Sequence, residues 1–140
     1  MMFSLEIHNA IWLFLVIFML HDFEEIISVE SWSKKTSNLV ESNDSRLKKL
    51  IWSFWNINSH SFAKRDVVIF AVASTIVFIK VQFIDSGWTA ILFIIFLCFV
   101  LLHNLVHIIQ TLILKTYTPG LYTAIGLVTP YTIYLFYRLV

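Results

Sequence analysis

Apolar positions along this chain gather into blocks long enough to cross a bilayer, separated by short polar breaks and one long one. From Leu5 the chain reads LEIHNAIWLFLVIFML, then HDFEEIISV, before a polar stretch begins at Glu30. Three more apolar blocks follow, at residues 66–84, 88–114 and 119–137. A spanning helix needs about 20 residues, and each block, with residues 5–29 as the first, is near or above that length. The charge-free part of the first block, Asn9 to Leu20, is short, so HDFEE must belong to the same helix near one end. The third block has no Lys, Arg, Asp or Glu. Pro130 predicts a kink in the fourth.

Residues 30–65 are the long polar break. SKKTSNLVESNDSRLKK predicts a loop. Leu47, Leu50, Ile51 and Phe54 then recur at i, i+3, i+4 and i+7 beside Lys48 and Lys49. That is the pattern of a short amphipathic helix lying on a membrane surface. The predicted fold is all-α: one domain over 1–140, a polytopic membrane bundle of four transmembrane helices with a short amphipathic interfacial helix after the first span.

Composition supports the membrane class. The chain is 59% hydrophobic and 14% charged, with a mean hydropathy of +0.80. A soluble domain carries about a quarter charged residues. Three Gly and two Pro leave few turns and argue for long helices. The alternation of a transmembrane barrel is absent. A net charge of +1 offers no field for nucleic acid. The one cysteine, Cys98, lies in an apolar run, which excludes a disulfide and a thiol metal site. MMFSLEIHN has no Lys or Arg, and no A-x-A site follows the first block, so the N-terminus reads as retained rather than as a signal peptide. Seven of the ten basic residues lie in residues 30–65. Their bias predicts a multi-pass protein of the cell membrane, with that loop cytoplasmic and both termini outside.

The chemistry sits at the cytoplasmic ends of the first and third blocks. Positions i+3 and i+4 share a helix face with i. His21, Glu24 and Glu25 therefore project to one side, as do His103 and His107. His21 lies 16 residues after Leu5 and His103 lies 15 after Trp88, in spans that run the same way. At about 1.5 Å rise per residue, both are roughly 23 Å into their helices. Equal depth predicts that His21, Glu25, His103 and His107 converge on one divalent metal. Three imidazoles and a carboxylate suit zinc first, with iron or manganese possible. One ion shared by His21 and His107 requires their nitrogens within about 6 Å. H-x-x-E-E is similar to the H-x-x-E-H of inverted zincins, in which the i+3 Glu is the base. Glu24 takes that role by analogy, or serves as a ligand of a second ion. Asn104 and Gln110 lie beside the cluster as supporting polar groups. The bland alternative is that carboxylates near a helix end, Asp22 among them, face headgroups. It weakens for the whole set, because burying these groups in lipid without partners costs several kcal/mol.

HDFEE, then HNLVHIIQ, then YTPG before the last block together resemble the HxxEE-motif family of small integral membrane proteins. The likeness covers nearly the whole chain. It implies about four spans and no assigned activity. Its pattern of HxxEE, N-x-x-H and Y-x-P-G falls on His21, Glu24, Glu25, Asn104, His107, Tyr117, Pro119 and Gly120. In place of the family's aromatic-proline stretch after HxxEE stands VESWS. In YTPG, Thr118 is pushed from the α region by Pro119, which suits the first turn of the last helix. Tyr117 then lies near the cluster's depth, to donate a proton, orient a ligand, or simply anchor the interface.

The leading functional expectation is a metal-dependent membrane hydrolase acting on a lipid or amphiphile, possible as a homo-oligomer. The alternatives are a proton- or metal-coupled transport or relay subunit, and a non-catalytic membrane interaction protein.

Overall fold

A computed structural model describes residues 5–42 and 44–140, and the described chain is all helical. Its elements are α1 (Ile7–Glu41), α2 (Arg46–Trp55), α3 (Ser59–Gln82), α4 (Gly87–Leu114) and a last helix over residues 121–139. Residues 1–4, part of the N-terminus read as retained, lie outside the described residues. Among the described residues, α4 alone is long and apolar enough to cross a membrane by length and composition.

Helices α1, α3, α4 and the last helix form a closed ring in that order, so α1 and α4 face each other across the bundle axis. Two apolar clusters fill the interior. One joins Ile11, Phe14 and Phe18 of α1 to Val77, Phe93, Leu97 and Leu135. The other, at the opposite end, joins Val29 and Trp32 of α1 to Ile51, Trp55 and Phe62. Between them α1 carries HDFEE.

The structure corrects the predicted loop at residues 33–41, which continue α1. The helix runs 35 residues without a break, about 52 Å at about 1.5 Å per residue. Val29, Trp32, Ser33, Thr36 and Val40 are buried, a helical stripe that packs against α2 and overrides the polar composition around it. VESWS is therefore an uninterrupted piece of α1. Trp52 donates its indole N–H to the Ser33 carbonyl at 3.1 Å and ties α2 to that extension. The amphipathic helix forms as α2. Ile51 and Trp55 turn inward, while Leu47, Leu50 and Phe54 stay about half exposed or more.

Pro130 does not break the last helix. Ala124–Val128 form a π-helical turn just before it, in which the Thr129 amide reaches back to the Ala124 carbonyl. Proline offers no N–H and crowds the carbonyl four residues earlier. The wider turn accommodates one extra residue and lets the helix go on to Leu139.

Candidate metal centre

Four side chains from α1 and α4 meet between the two apolar clusters. The buried stripe of α1 passes through Phe14, Phe18, His21, Glu25, Val29 and Trp32. His21 and Glu25 thus occupy core positions. The stripe of α4 is Thr89, Phe93, Leu97, Val100, Asn104 and His107. His103 is one position off it, which is why its side chain is 41% exposed, against 1% for His107 and 6% for Glu25.

His103 Nε2 lies 2.9 Å from His107 Nε2 and 3.4 Å from His21 Nε2. Glu25 Oε1 lies 3.0, 3.7 and 3.8 Å from the Nε2 atoms of His107, His21 and His103. All four donor atoms lie within 4.8 Å of one another, and the group could hold a metal ion. Ligands about 2.0–2.1 Å from a tetrahedral ion stand about 3.3 Å apart, in the middle of the observed spread. The chemistry of the donors points the same way. Glu25 Oε1 is buried and accepts no hydrogen bond among the described residues. Three imidazole nitrogens crowd it, and such lone pairs at contact distance repel unless a proton or a cation lies between them. A buried, unpaired carboxylate is costly. One cation satisfies the four converging donor atoms, Glu25 Oε1 and the three Nε2 atoms.

Glu24 stands outside the cluster. Its Oε1 accepts from the Tyr117 hydroxyl at 2.6 Å and the Tyr122 amide at 3.2 Å. Its Oε2 accepts from the Thr123 amide at 2.7 Å and the Thr123 hydroxyl at 2.5 Å. With four donors on two oxygens, the carboxylate anchors the first turn of the last helix to α1. Thr123 then reaches the cluster, its Oγ1 lying 2.9 Å from His21 Nδ1. A hydroxyl has one proton, and the carboxylate takes it. Thr123 Oγ1 must therefore accept from His21 Nδ1–H, which leaves the Nε2 lone pair facing the other three donors. Fixing a ligand's tautomer in this way is the usual task of the groups around a metal.

The YTPG turn closes the cluster from the side. Gly120 has φ +81°, and a Cβ there would come within 2.8 Å of Glu25 Cγ and of His21 Cε1. Only glycine fits, both for its backbone and for the space beside the ligands. Tyr117 reaches Glu24 rather than the donor cluster. Burial and its hydrogen bond to Glu24 hold the phenol well above its usual pKa, so it remains a donor. Asn104 is buried and donates to Thr129 Oγ1 at 2.9 Å, joining α4 to the last helix. Gln110 acts through a neighbour: its Oε1 accepts from the Trp55 indole at 2.9 Å, and that ring stands 5.7 Å from the His107 ring.

Sequence reasoning missed two residues. Thr123 has no signal, being a lone threonine far along the chain from HDFEE. Asp66 follows Lys64 and Arg65 and looks like a solvated helix end, yet it is 5% exposed and lines the same interior as Glu25 and His103.

The model of the family described as "Protein of unknown function with HXXEE motif" matches residues 12–135. No curated protein matches the chain, and no solved structure does.

Proposed function

This chain belongs to the HXXEE family, and on that premise we propose that it is a four-span membrane hydrolase that uses one divalent ion, zinc by preference, on an amphiphile drawn from the bilayer. The spanning reading rests on the outer surface. Large apolar side chains stand exposed on every long helix: Val16 and Ile27 on α1, Val67 and Val72 on α3, Ile95 and Leu102 on α4, Ile133 on the last. A soluble monomer does not present apolar patches of that extent. With basic residues gathered at one end, the site falls in the cytoplasmic half of the membrane.

The observation that carries the catalytic reading is the unequal burial of the donors. Structural zinc sites are closed by protein ligands, and catalytic ones keep a position for water. His21, Glu25 and His107 are enclosed, whereas His103 stands on the wall of a cavity of about 160 Å³ that Glu25 also lines. His103 is the ligand placed to yield to water or substrate. A divalent ion at this cluster supplies Lewis acidity and an activated water. His21 and His107 present Nε2, with His21 held in that tautomer by Thr123. Glu24 is a positioning residue that holds Thr123 and Tyr117, not the base of the zincin analogy.

The test is hydrolysis of a panel of ester and amide amphiphiles by purified protein in detergent, before and after chelation and metal return. Turnover that chelation abolishes and metal restores is expected. Metal-loaded protein that hydrolyses nothing, but moves protons or metal in sealed vesicles, overturns the hydrolase reading in favour of transport.

A further inference from the structure

The amphipathic helix α2 carries one residue that its packing does not explain. Ile51 and Trp55 turn inward, and Lys48 falls three residues before Ile51, on the same face. It is half-buried. A lysine at such a position ordinarily pairs with an acid or reaches water. Among the described residues, Lys48 has neither a hydrogen bond nor an ion pair. It lines a cavity of about 150 Å³ between α2, the extension of α1 and the end of α4, together with Trp32, Trp52, Leu114 and Thr116.

The wall carries charge of one sign. Among the described residues, no Asp or Glu lines the cavity. Glu41 and Asp44, the nearest acids along the chain, are exposed, and Glu30 is taken by Lys34 at 2.8 Å. The indoles are committed as donors. Trp32 donates to the Tyr117 carbonyl and Trp52 to the Ser33 carbonyl, so both rings offer the cavity apolar surface. The Thr116 hydroxyl has no partner among the described residues. An ammonium and a hydroxyl without a counter-charge, set between aromatic walls, suit an anion that is joined to something apolar.

Depth identifies the anion. Trp32 lies 11 residues after His21, and Leu114 lies 11 after His103. At about 1.5 Å per residue, the cavity is about 16 Å further along both helices than the metal centre. On the spanning reading, which fixes the depth, that is past a hydrocarbon core of about 30 Å and among the head groups of the cytoplasmic leaflet. Tryptophan concentrates at that level, and the leaflet carries the anionic lipids. Leu47 and Leu50, beside Lys48 on α2, stay exposed, as on a helix lying in the interface. We propose that this cavity binds the phosphate head group of an anionic phospholipid, with Lys48 as its cation and the Thr116 hydroxyl as a second donor. A free phosphate shares that chemistry but makes no use of the aromatic walls or of the exposed leucines. The site is separate from the metal centre and requires no ion there.

The experiment titrates the full chain, in an uncharged detergent at about 0.15 M salt to screen exposed charges, with dihexanoyl phosphatidylglycerol, dihexanoyl phosphatidylcholine and inorganic phosphate. Affinity is read from the rise in the unfolding midpoint with ligand concentration. Phosphatidylglycerol is expected to bind about tenfold more tightly than phosphatidylcholine, the scale of one charge-assisted contact. Lys48→Gln should remove that preference. Lys49→Gln, at an exposed position outside the cavity, should keep most of it. Thr116→Phe, which fills the cavity without changing charge, should weaken phosphatidylglycerol binding as well. Equal binding of the two lipids by wild type overturns the cavity and leaves the spanning reading standing. Equal losses in Lys48→Gln and Lys49→Gln mean diffuse surface charge and overturn it too. Inorganic phosphate bound as tightly as phosphatidylglycerol, with the same dependence on Lys48, overturns the lipid as occupant. A chain that stays monodisperse without detergent overturns the spanning reading and, with it, the lipid.

Discussion

Thr123 Oγ1 lies 2.9 Å from His21 Nδ1, a contact that spans 102 positions of the chain and decides which ring nitrogen of His21 faces the cluster. Thr123→Val keeps the shape and removes the acceptor. Metal affinity should fall about 10- to 100-fold, the range for loss of a group that orients a ligand. Thr123→Ser should restore most of it. Titration against a competing chelator reads both. Equal affinity in all three proteins would remove Thr123 from the site.

Gly120→Ala tests the turn. The substitution meets a positive φ and atoms of Glu25 and His21 at under 3 Å. A non-glycine residue held there costs about 1–3 kcal/mol, so the midpoint of thermal unfolding should drop. Metal stoichiometry should drop with it, because the clash is with two ligands. An unchanged midpoint and full metal content would mean that the turn does not press on the cluster.

Glu24→Gln separates positioning from ligation. Glutamine keeps one oxygen but replaces the other acceptor by an NH₂ that faces donors. Four contacts, from Tyr117, Tyr122 and Thr123, meet that carboxylate. Thermal stability should fall by about 1–3 kcal/mol, the cost of leaving such groups unpaired. Metal should remain bound, more weakly. Glu25→Gln should instead lose the ion. The reverse pattern by elemental analysis would exchange the two roles.

Much of this was legible because helix geometry is periodic. His21 and Glu25 fall in the same register as Phe14, Phe18 and Val29, so their place in the core follows from spacing alone. Equal depth brought the His103–His107 pair alongside them. The reach of α1 past Val29 was hidden by composition: a stripe of Trp32, Ser33, Thr36 and Val40 is too polar to announce itself, and its burial depends on α2. The zincin analogy makes Glu24 the base and says nothing about Thr123, which becomes its partner only when the π-helical turn and YTPG bring the last helix against α1. Asp66 opens the second apolar block beside Lys64 and Arg65, and its burial is a tertiary fact that no spacing announces.

Topology has its own test. Ser42, just past the end of α1, is exposed and belongs to the basic segment read as cytoplasmic. A cysteine there should resist an impermeant thiol reagent in intact cells and react after lysis; Cys98 is replaced first because it is also exposed. Labelling from outside would place the metal centre in the outer half of the membrane.

The most direct measurement is the metal content of the purified chain beside that of His107→Ala. His107 and Glu25 make the 3.0 Å contact at the heart of the cluster. Elemental analysis of wild type should give one divalent ion per chain, zinc by preference, and the variant, folded by circular dichroism, should give none. Folded wild type that takes up no divalent ion, even after incubation with zinc, iron and manganese in turn, would contradict the account at its centre.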